Sequence, residues 1–341
     1  MSEENAPTPK ASSDTGNDVE NNAGAKPNMP VWQRALPWLI TLACFAYLYS
    51  KLAGAAGREG ETVVTYLANI FASVPWGRWL ALMIPYSFLF FLIDSLVLWR
   101  VVNWYNADVR YTDILPIRGS SYILSILNEQ VGKGAMALYL NRRNGVPGWE
   151  VGSSMLFIMF CEFFYLLGWA CVGYAMQGDK LPEVFGLIPR VAVGALLFFI
   201  AFRLFFTGKI MSNSTLRDRP VFHAFRQAKT WHFGMIILLR SPALLSAVWV
   251  YTSVLGFFGV EVTNLEMLGY LPIIFFGAAT PGPMRTVAIT LWVVLFPGYE
   301  GQMTAFGFVQ HNFFIFFNAA IGLIFLNRAN RELFGSPDSS S

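Results

Sequence analysis

Long uncharged apolar stretches recur along this chain, and they constrain its fold more than any other feature of the sequence. A helix needs about 20 mainly apolar residues to cross the roughly 30 Å hydrocarbon core of a membrane. The stretches that meet this requirement lie at about 34–53, 79–103, 149–176, 185–207, 241–260 and 302–326. Charged residues make up only 13% of the chain and apolar residues 55%, which excludes an ordinary water-soluble enzyme. The sequence therefore predicts an all-α, polytopic membrane protein with about six full spans.

Two further apolar regions are interrupted near their middle, and each of their pieces is too short to span a membrane. Gly132 divides residues 113–143, and Gly282, which lies between two prolines, divides residues 266–298. Pieces of about ten to fifteen residues are typical of re-entrant segments, which are stable only where they are buried in protein or line a wet cavity. We therefore expect two re-entrant hairpins in addition to the six spans.

An internal repeat relates the two interrupted regions. Residues 147–150 read PGWE and residues 297–300 read PGYE, so the copies are 150 residues apart, and the same offset pairs Gly119 with Gly269. Three full spans separate the copies, which gives them opposite orientations in the membrane. The repeats extend over about 113–176 and 266–326. Inverted repeats are typical of transporters whose substrate site lies near the midplane, where short helices of both halves meet.

The two ends of the chain differ in composition from the membrane domain expected at 31–330. Residues 1–30 carry five acids against two lysines and almost no large apolar side chain. Such a segment buries too little surface to offset the entropy cost of ordering, and it predicts a disordered tail. Residues 331–341 predict a short polar C-terminal tail.

Basic residues are distributed unevenly between the predicted loops. Residues 203–240 contain seven Lys and Arg against the single acid Asp218, so the positive-inside rule places this loop in the cytoplasm. Counting outwards also places five arginines inside, namely Arg100, Arg110, Arg118, Arg142 and Arg143. We expect a multi-pass protein of the bacterial or archaeal inner membrane with both termini in the cytoplasm. In the alternative topology residues 222–239 also cross, which moves Arg328 and Arg331 outside.

Polar and ionisable side chains within the membrane segments are the candidate binding residues, because such groups are costly there and mark function or a paired contact. They are Asp94, Asn128, Glu129, Lys133, Glu162, Arg285, Gln310 and His311. If the hairpins meet, Lys133 and Arg285 supply positive charge and helix N-termini supply N–H groups, which suit an anion such as a lipid phosphate. Glu129 and Glu162 are the expected counter-charges. In the structural alternative, Asp94, Glu162 and the Gln310-His311 pair only join neighbouring helices.

The sequence predicts neither a metal site nor a cofactor. Its three histidines, His223, His232 and His311, are divided between the cytoplasmic side and the last span, which does not suit zinc. Phosphate-binding loops and nucleophile elbows are absent from the sequence. We expect no nucleic-acid partner, because the basic residues follow membrane topology instead of forming a stripe with exposed aromatic residues.

Two segments resemble the membrane region of lysylphosphatidylglycerol synthases and of related stand-alone bacterial and archaeal membrane proteins. They begin NEQVGKGAMALYLNRRNGVPG at residue 128 and GAATPGPMRTVAITL at residue 277. The positions that match the family pattern are Gly132, Arg142, Arg143, Gly145, Glu162, Gly282 and Arg285. The positions that depart from it are Lys133, Met136, Phe163 and Thr286. The resemblance implies a divergent member with about eight membrane segments that moves a lipid or lipid-linked intermediate between leaflets, without the synthases' soluble aminoacyl-transferase domain.

We therefore expect a flippase-like transporter whose partners are membrane lipids with an anionic headgroup or a polyprenyl-linked group. One alternative is a membrane-embedded lipid-modifying enzyme, for which Glu162 and His311 are the candidate pair. A subunit that presents lipid to a separate transferase is a further alternative, as is a scaffold that transports nothing. The sequence shows no catalytic motif, which favours the transporter over the enzyme.

Overall fold

The computed structural model describes residues 31–127, 129–208, 214–279 and 286–334. Side chains are described throughout these ranges except at 31–37, 124–127, 129–133, 135, 279 and 327–334. The tail predicted at 1–30 lies outside the described residues, as do residues 335–341 of the predicted C-terminal tail. Residues 331–334 instead continue the last helix, since nothing in their sequence breaks it.

All regular secondary structure in the described ranges is helical. The α-helices of the first half are α1 (Val31–Arg58), α2 (Val63–Ser73), α3 (Trp76–Tyr105), α4 (Tyr111–Leu127), α5 (Glu129–Asn144) and α6 (Gly148–Gln177). Those of the second half are α7 (Ile188–Phe206), α8 (His223–Gln227), α9 (Thr230–Gly256), α10 (Asn264–Ala279), α11 (Thr286–Leu295) and α12 (Glu300–Phe334). Short 3₁₀ turns lie at Gly178–Lys180, Glu183–Leu187 and Pro220–Phe222.

Six of the described helices are long and apolar enough to cross a membrane, namely α1, α3, α6, α7, α9 and α12. Large apolar side chains cover their outer surfaces, and those of α7 are mostly exposed from Val191 to Ile200. A helix with such a surface is stable in hydrocarbon, where its backbone groups are all paired within the helix. The prediction of an all-α multi-pass membrane protein with six spans is confirmed.

The fifth span begins earlier than the sequence analysis placed it. The prediction put the span at 241–260 and assigned Arg240 to a loop, whereas α9 runs without interruption over Thr230–Gly256. Residues 222–239 therefore do not cross by themselves, because their second half is the first part of α9 and their first half contains only the short helix α8. The predicted start of the span was too late because the buried Arg240 was counted as a charged loop residue.

Two pairs of shorter helices, α4 with α5 and α10 with α11, separate the long ones. Arg143 lies 3.3 Å from Asp113, and Arg118 lies 3.8 Å from the sulfur of Met136, so α4 and α5 pack against each other in antiparallel orientation. In the second pair Gly277 of α10 faces Leu291 of α11. Each helix of the first pair is about 25 Å long, which is less than a membrane's hydrocarbon core.

Each short pair packs against the long helix of the other half, with α4 against α12 and α10 against α6. Glycines allow the close approach in both places. A Cβ at Gly173 of α6 would lie 2.6 Å from the Cα of Gly269 on α10, and one at Gly322 of α12 would lie 2.8 Å from the carbonyl oxygen of Gly119 on α4. The two contacts correspond closely under the 150-residue offset that pairs Gly119 with Gly269.

Helices α3 and α9 pack against each other in antiparallel orientation. His232 near the start of α9 accepts a hydrogen bond from, or donates one to, the Tyr105 hydroxyl at 2.6 Å, near the end of α3. Arg240 meets Asp94 further along, and the rings of Tyr251 and Tyr86 are 5.7 Å apart beyond that. This order fixes the relative height of residues on both helices, and it positions the site described below.

We predict that Gly173→Ala and Gly322→Ala each destabilise the protein by about 1–3 kcal/mol, because the new methyl group meets backbone atoms that cannot move aside. Thermal unfolding in detergent, followed by tryptophan fluorescence, measures the effect. Gly168→Ala on α6 is the matched control, since a Cβ there meets nothing within 4 Å. Equal stability of all three variants would contradict the close packing.

Candidate functional site

A cluster of charged side chains lies where α3, α4, α6 and α9 meet. Asp94 of α3, Glu162 of α6 and Arg240 of α9 each lie within about 5 Å of the midpoint of their own helix. Arg118 of α4 completes the cluster together with the Tyr122 hydroxyl. The group therefore lies at half the length of three spans, which is the depth at which charge costs most in a membrane.

The Asp94 carboxylate accepts hydrogen bonds from three side chains. Arg118 Nε donates to Oδ2 at 2.5 Å, and the Tyr122 hydroxyl donates to the same oxygen at 3.0 Å. Arg240 Nη2 donates to Oδ1 at 3.5 Å. The Arg118 guanidinium also lies 4.8 Å from the centre of the Tyr122 ring, close enough for a cation–π contact. Asp94 is thus satisfied on both oxygens.

Glu162 is held less completely. Arg240 Nη1 donates to its Oε1 at 3.1 Å, and Arg240 is the one ionic partner of Glu162 among the described residues. Its side chain is 37% exposed, compared with 9% for Asp94 and 10% for Arg240. Glu162 is therefore the accessible acid of the cluster, and Arg240 is shared between two carboxylates.

A small cavity opens beside Glu162. Its volume is about 30 Å³, and its polar lining comes from Asp94, Glu162, Tyr165 and Arg240. Phe90 and Phe275 contribute to the apolar part of the lining. A space of this volume holds about one water molecule. Most of the lining is apolar, so an acid that is one third exposed at this depth depends on its ion pair with Arg240.

Two carboxylates and two guanidinium groups give the described cluster a formal charge of zero. Pairing offsets much of the desolvation cost of burying ions, but removing one member leaves an uncompensated charge. Helices α3, α4, α6 and α9 are therefore coupled electrostatically at their midpoints. Among the described side chains, no group of three His, Cys, Asp or Glu residues lies close enough to hold a metal ion.

The sequence-predicted residues fall into three groups. Asp94 and Glu162 lie together in the charged cluster, joined by Arg240. Asn128 and Arg285 lie outside the described residues, and Glu129 and Lys133 belong to α5 with side chains that are outside the described set. The proposed role of Lys133 and Arg285 as headgroup contacts therefore stays a prediction.

Gln310 and His311 form the third group, on the inner side of α12. Both are buried, and the Gln310 amide donates to the Tyr251 hydroxyl of α9. Tyr251 is eleven residues beyond Arg240, or about 16 Å along the helix. His311 is not among the residues that line the cavity beside Glu162. In the described part of the chain, Glu162 and His311 thus belong to different sites.

Sequence reasoning did not assign Arg118 and Arg240 to the site, because both were counted as cytoplasmic anchors. A signal was present for Arg240, since the apolar run Met235–Leu239 precedes it and a second run follows Pro242. Those runs joined make one span of ordinary length that contains the arginine, and Thr230–Gly234 extend the helix so that Arg240 lies near its middle. The sequence around Arg118 gave a weaker indication of a membrane position, because Gly119 and two serines follow it directly and interrupt the apolar pattern.

Comparison with known proteins adds no assignment: no protein-family model, no curated protein and no solved structure matches the chain.

We predict that Asp94→Leu destabilises the protein by about 3–5 kcal/mol, since it leaves the buried Arg240 and the partly buried Arg118 without their shared carboxylate. Adding Arg118→Met removes one of those charges, and we expect it to restore most of the stability that Asp94→Leu loses. Thermal unfolding in detergent provides the measurement.

Ser95→Ala is the control for this comparison, since Ser95 is fully buried beside Asp94 and its hydroxyl meets no hydrogen-bond partner among the described residues. Its stability is expected to equal that of the unmodified protein. If Asp94→Leu is as stable as Ser95→Ala, the ion cluster does not hold the helices together.

Proposed function

We propose that this protein is a flippase-like transporter that moves lipids with an anionic headgroup between the leaflets of a bacterial or archaeal inner membrane. The observation that carries the proposal is the charged cluster of Asp94, Arg118, Glu162 and Arg240 at half the length of three spans. A polar site at that depth lowers the cost of moving a charged headgroup through hydrocarbon, while the acyl chains stay in lipid.

The arrangement of the short helix pairs supports transport. In this proposal α4–α5 and α10–α11 are re-entrant hairpins that enter from opposite sides as parts of an inverted repeat. The mutual packing of α4 on α12 and α10 on α6 is the pattern that such a repeat requires. Arg118 of α4 reaches the cluster directly, and Phe276 near the end of α10 contacts Phe163, which is the neighbour of Glu162. Both pairs thus extend to the depth of the cluster.

The distribution of charge supports an orientation with both termini in the cytoplasm. Ser154 of α6 donates to Asn106, just after α3, at 2.7 Å, and the Ala224 N–H donates to Ser153 at 2.9 Å, so these segments lie at one end of the bundle. Basic residues concentrate there, including Arg142, Arg143, Arg217, Arg219, Arg226 and Lys229. At the opposite end lie the ion pairs Arg58–Glu300 and Lys180–Glu266. The positive-inside rule favours the basic end as cytoplasmic.

This orientation predicts that cysteines at the two ends react from opposite sides. In a variant without Cys44, Cys161 and Cys171, we expect Asp179→Cys to react with a membrane-impermeant maleimide added to spheroplasts. Arg219→Cys is expected to react only after permeabilisation. Both original residues are exposed, so access to the reagent is limited by the membrane alone. Reaction of both cysteines in intact spheroplasts would contradict the orientation.

Transport itself is tested in proteoliposomes that contain fluorescently labelled phosphatidylglycerol, with dithionite to report the outer-leaflet fraction. We expect the unmodified protein to accelerate exchange between leaflets and the Lys133→Ala, Arg285→Ala double variant to lose at least tenfold in rate, because two headgroup contacts are removed.

Arg190→Ala is the control, because it also removes a cation, but from the exposed start of α7. Its exchange rate is expected to equal that of the unmodified protein. An unchanged rate in the double variant would remove Lys133 and Arg285 from the site. Exchange no faster than in protein-free vesicles would overturn the transport proposal.

A further inference from the structure

Arg240 is an incompletely used anion-binding group. Its Nη1 donates to Glu162 at 3.1 Å and its Nη2 to Asp94 at 3.5 Å, while its buried Nε meets no acceptor among the described residues. A guanidinium group presents its donors as a planar fork that matches a carboxylate or phosphate with two parallel hydrogen bonds. Neither Glu162 nor Asp94 engages Arg240 in that way in the hydrogen bonds described. Arg240 therefore has the donors to make two hydrogen bonds to a phosphate, whereas it donates one to Glu162.

The two carboxylates differ in how easily they can leave Arg240. Asp94 is also held by Arg118 and Tyr122, so its charge stays compensated when Arg240 binds something else. Glu162 has Arg240 as its one described ionic partner and is 37% exposed. Glu162 is thus the group that an incoming anion can replace.

The size of the cavity requires that replacement. At about 30 Å³ the space beside Arg240 has room for about one water molecule, which is less than a phosphate needs. A phosphate fits only if the Glu162 carboxyl group moves away. The rest of the lining includes Phe90, Leu166 and Phe275, against which a neutral carboxylic acid is tolerated more cheaply than a carboxylate.

We propose that Arg240 binds the phosphate of the anionic headgroup, and that Glu162 is an exchangeable counter-ion that takes up one proton as the phosphate replaces it. This inference rests on the proposed function for its lipid substrate. The proton comes from the aqueous phase and bonds to a carboxylate oxygen of Glu162, and the phosphate brings one negative charge, so the net charge of the cluster is the same before and after binding. No uncompensated charge is left in the membrane at any stage.

The groups that face Glu162 from the surrounding helices suit this exchange. Arg240 of α9, Asp94 of α3 and Tyr165 of α6 line the same cavity as Glu162, and Arg118 of α4 lies behind Asp94. From α10, Phe275 lines the same cavity as Glu162, and Phe276 contacts Phe163, the next residue along α6. Within the described residues, Glu162 is therefore the one exposed acid of the cluster that can gain a proton.

The test is equilibrium binding of short-chain phosphatidylglycerol to the full-length protein in a neutral detergent, between pH 5 and pH 9. Uptake of one proton with each lipid predicts that Kd rises about tenfold per pH unit over the part of this range in which binding takes up one proton. In Glu162→Gln the competing charge is absent, so we expect tight binding at every pH. Arg240→Gln is expected to lose at least tenfold in affinity. Glu183→Gln, at the exposed start of a 3₁₀ turn, is expected to keep the pH dependence of the unmodified protein.

If a variant does not fold, the pH dependence of Kd in the unmodified protein still tests the exchange. A Kd that does not change over this pH range, or one that depends on pH equally in Glu162→Gln, would overturn the exchange. An arm with inorganic phosphate distinguishes the source of the anion: competition shows that the site recognises the phosphate group alone, and lack of competition shows that it requires the lipid. Binding without leaflet exchange would refute the proposed function and leave this inference standing, whereas leaflet exchange with pH-independent binding would do the reverse.

Discussion

The cost of placing charge in the middle of a membrane governs how this bundle is assembled. Arg240 can lie at the middle of α9 only because Asp94 and Glu162 face it from α3 and α6. Asp94 in turn is paired with Arg118, which brings α4 into the same arrangement. Four helices from different parts of the chain are thereby fixed at one height. The same interaction that organises the fold also creates the one accessible acid of the cluster, at Glu162.

The fold also requires close approach between helix backbones, which brings the paired charges of different helices together. Small residues let membrane helices approach each other where no hydrophobic effect drives their association. Gly173 meets Gly269 and Gly322 meets Gly119, so each short helix is held tightly along a long one. The charges do not follow the same symmetry, because the 150-residue offset places Leu268 where the first repeat has Arg118 and Asn312 where it has Glu162. The two halves share their packing, whereas the ionic chemistry belongs mainly to the first.

Much of the architecture could be predicted from the sequence, because a span requires a long apolar run and such runs are visible without a structure. The helical class and the six spans followed from them, and residue type alone drew attention to Asp94 and Glu162. The arginine partners could not be found in this way. A basic residue near an apolar run indicates a cytoplasmic boundary in most chains, and this rule outweighed the apolar run before Arg240. The pairing of Arg240 with two acids on other helices depends on the three-dimensional arrangement.

The distance between the ends of the two proposed hairpins tests the transport site most directly. Spin labels at Gly132→Cys and Gly282→Cys, in a variant without the native cysteines and reconstituted into nanodiscs, give the distance between the two hairpins by double electron–electron resonance. If the hairpins enter from opposite sides and meet beside the charged cluster, the distance is well below the roughly 30 Å thickness of the hydrocarbon core. A distance equal to or greater than that thickness would show that the hairpins stay at opposite surfaces, and it would contradict a transport site at mid-depth.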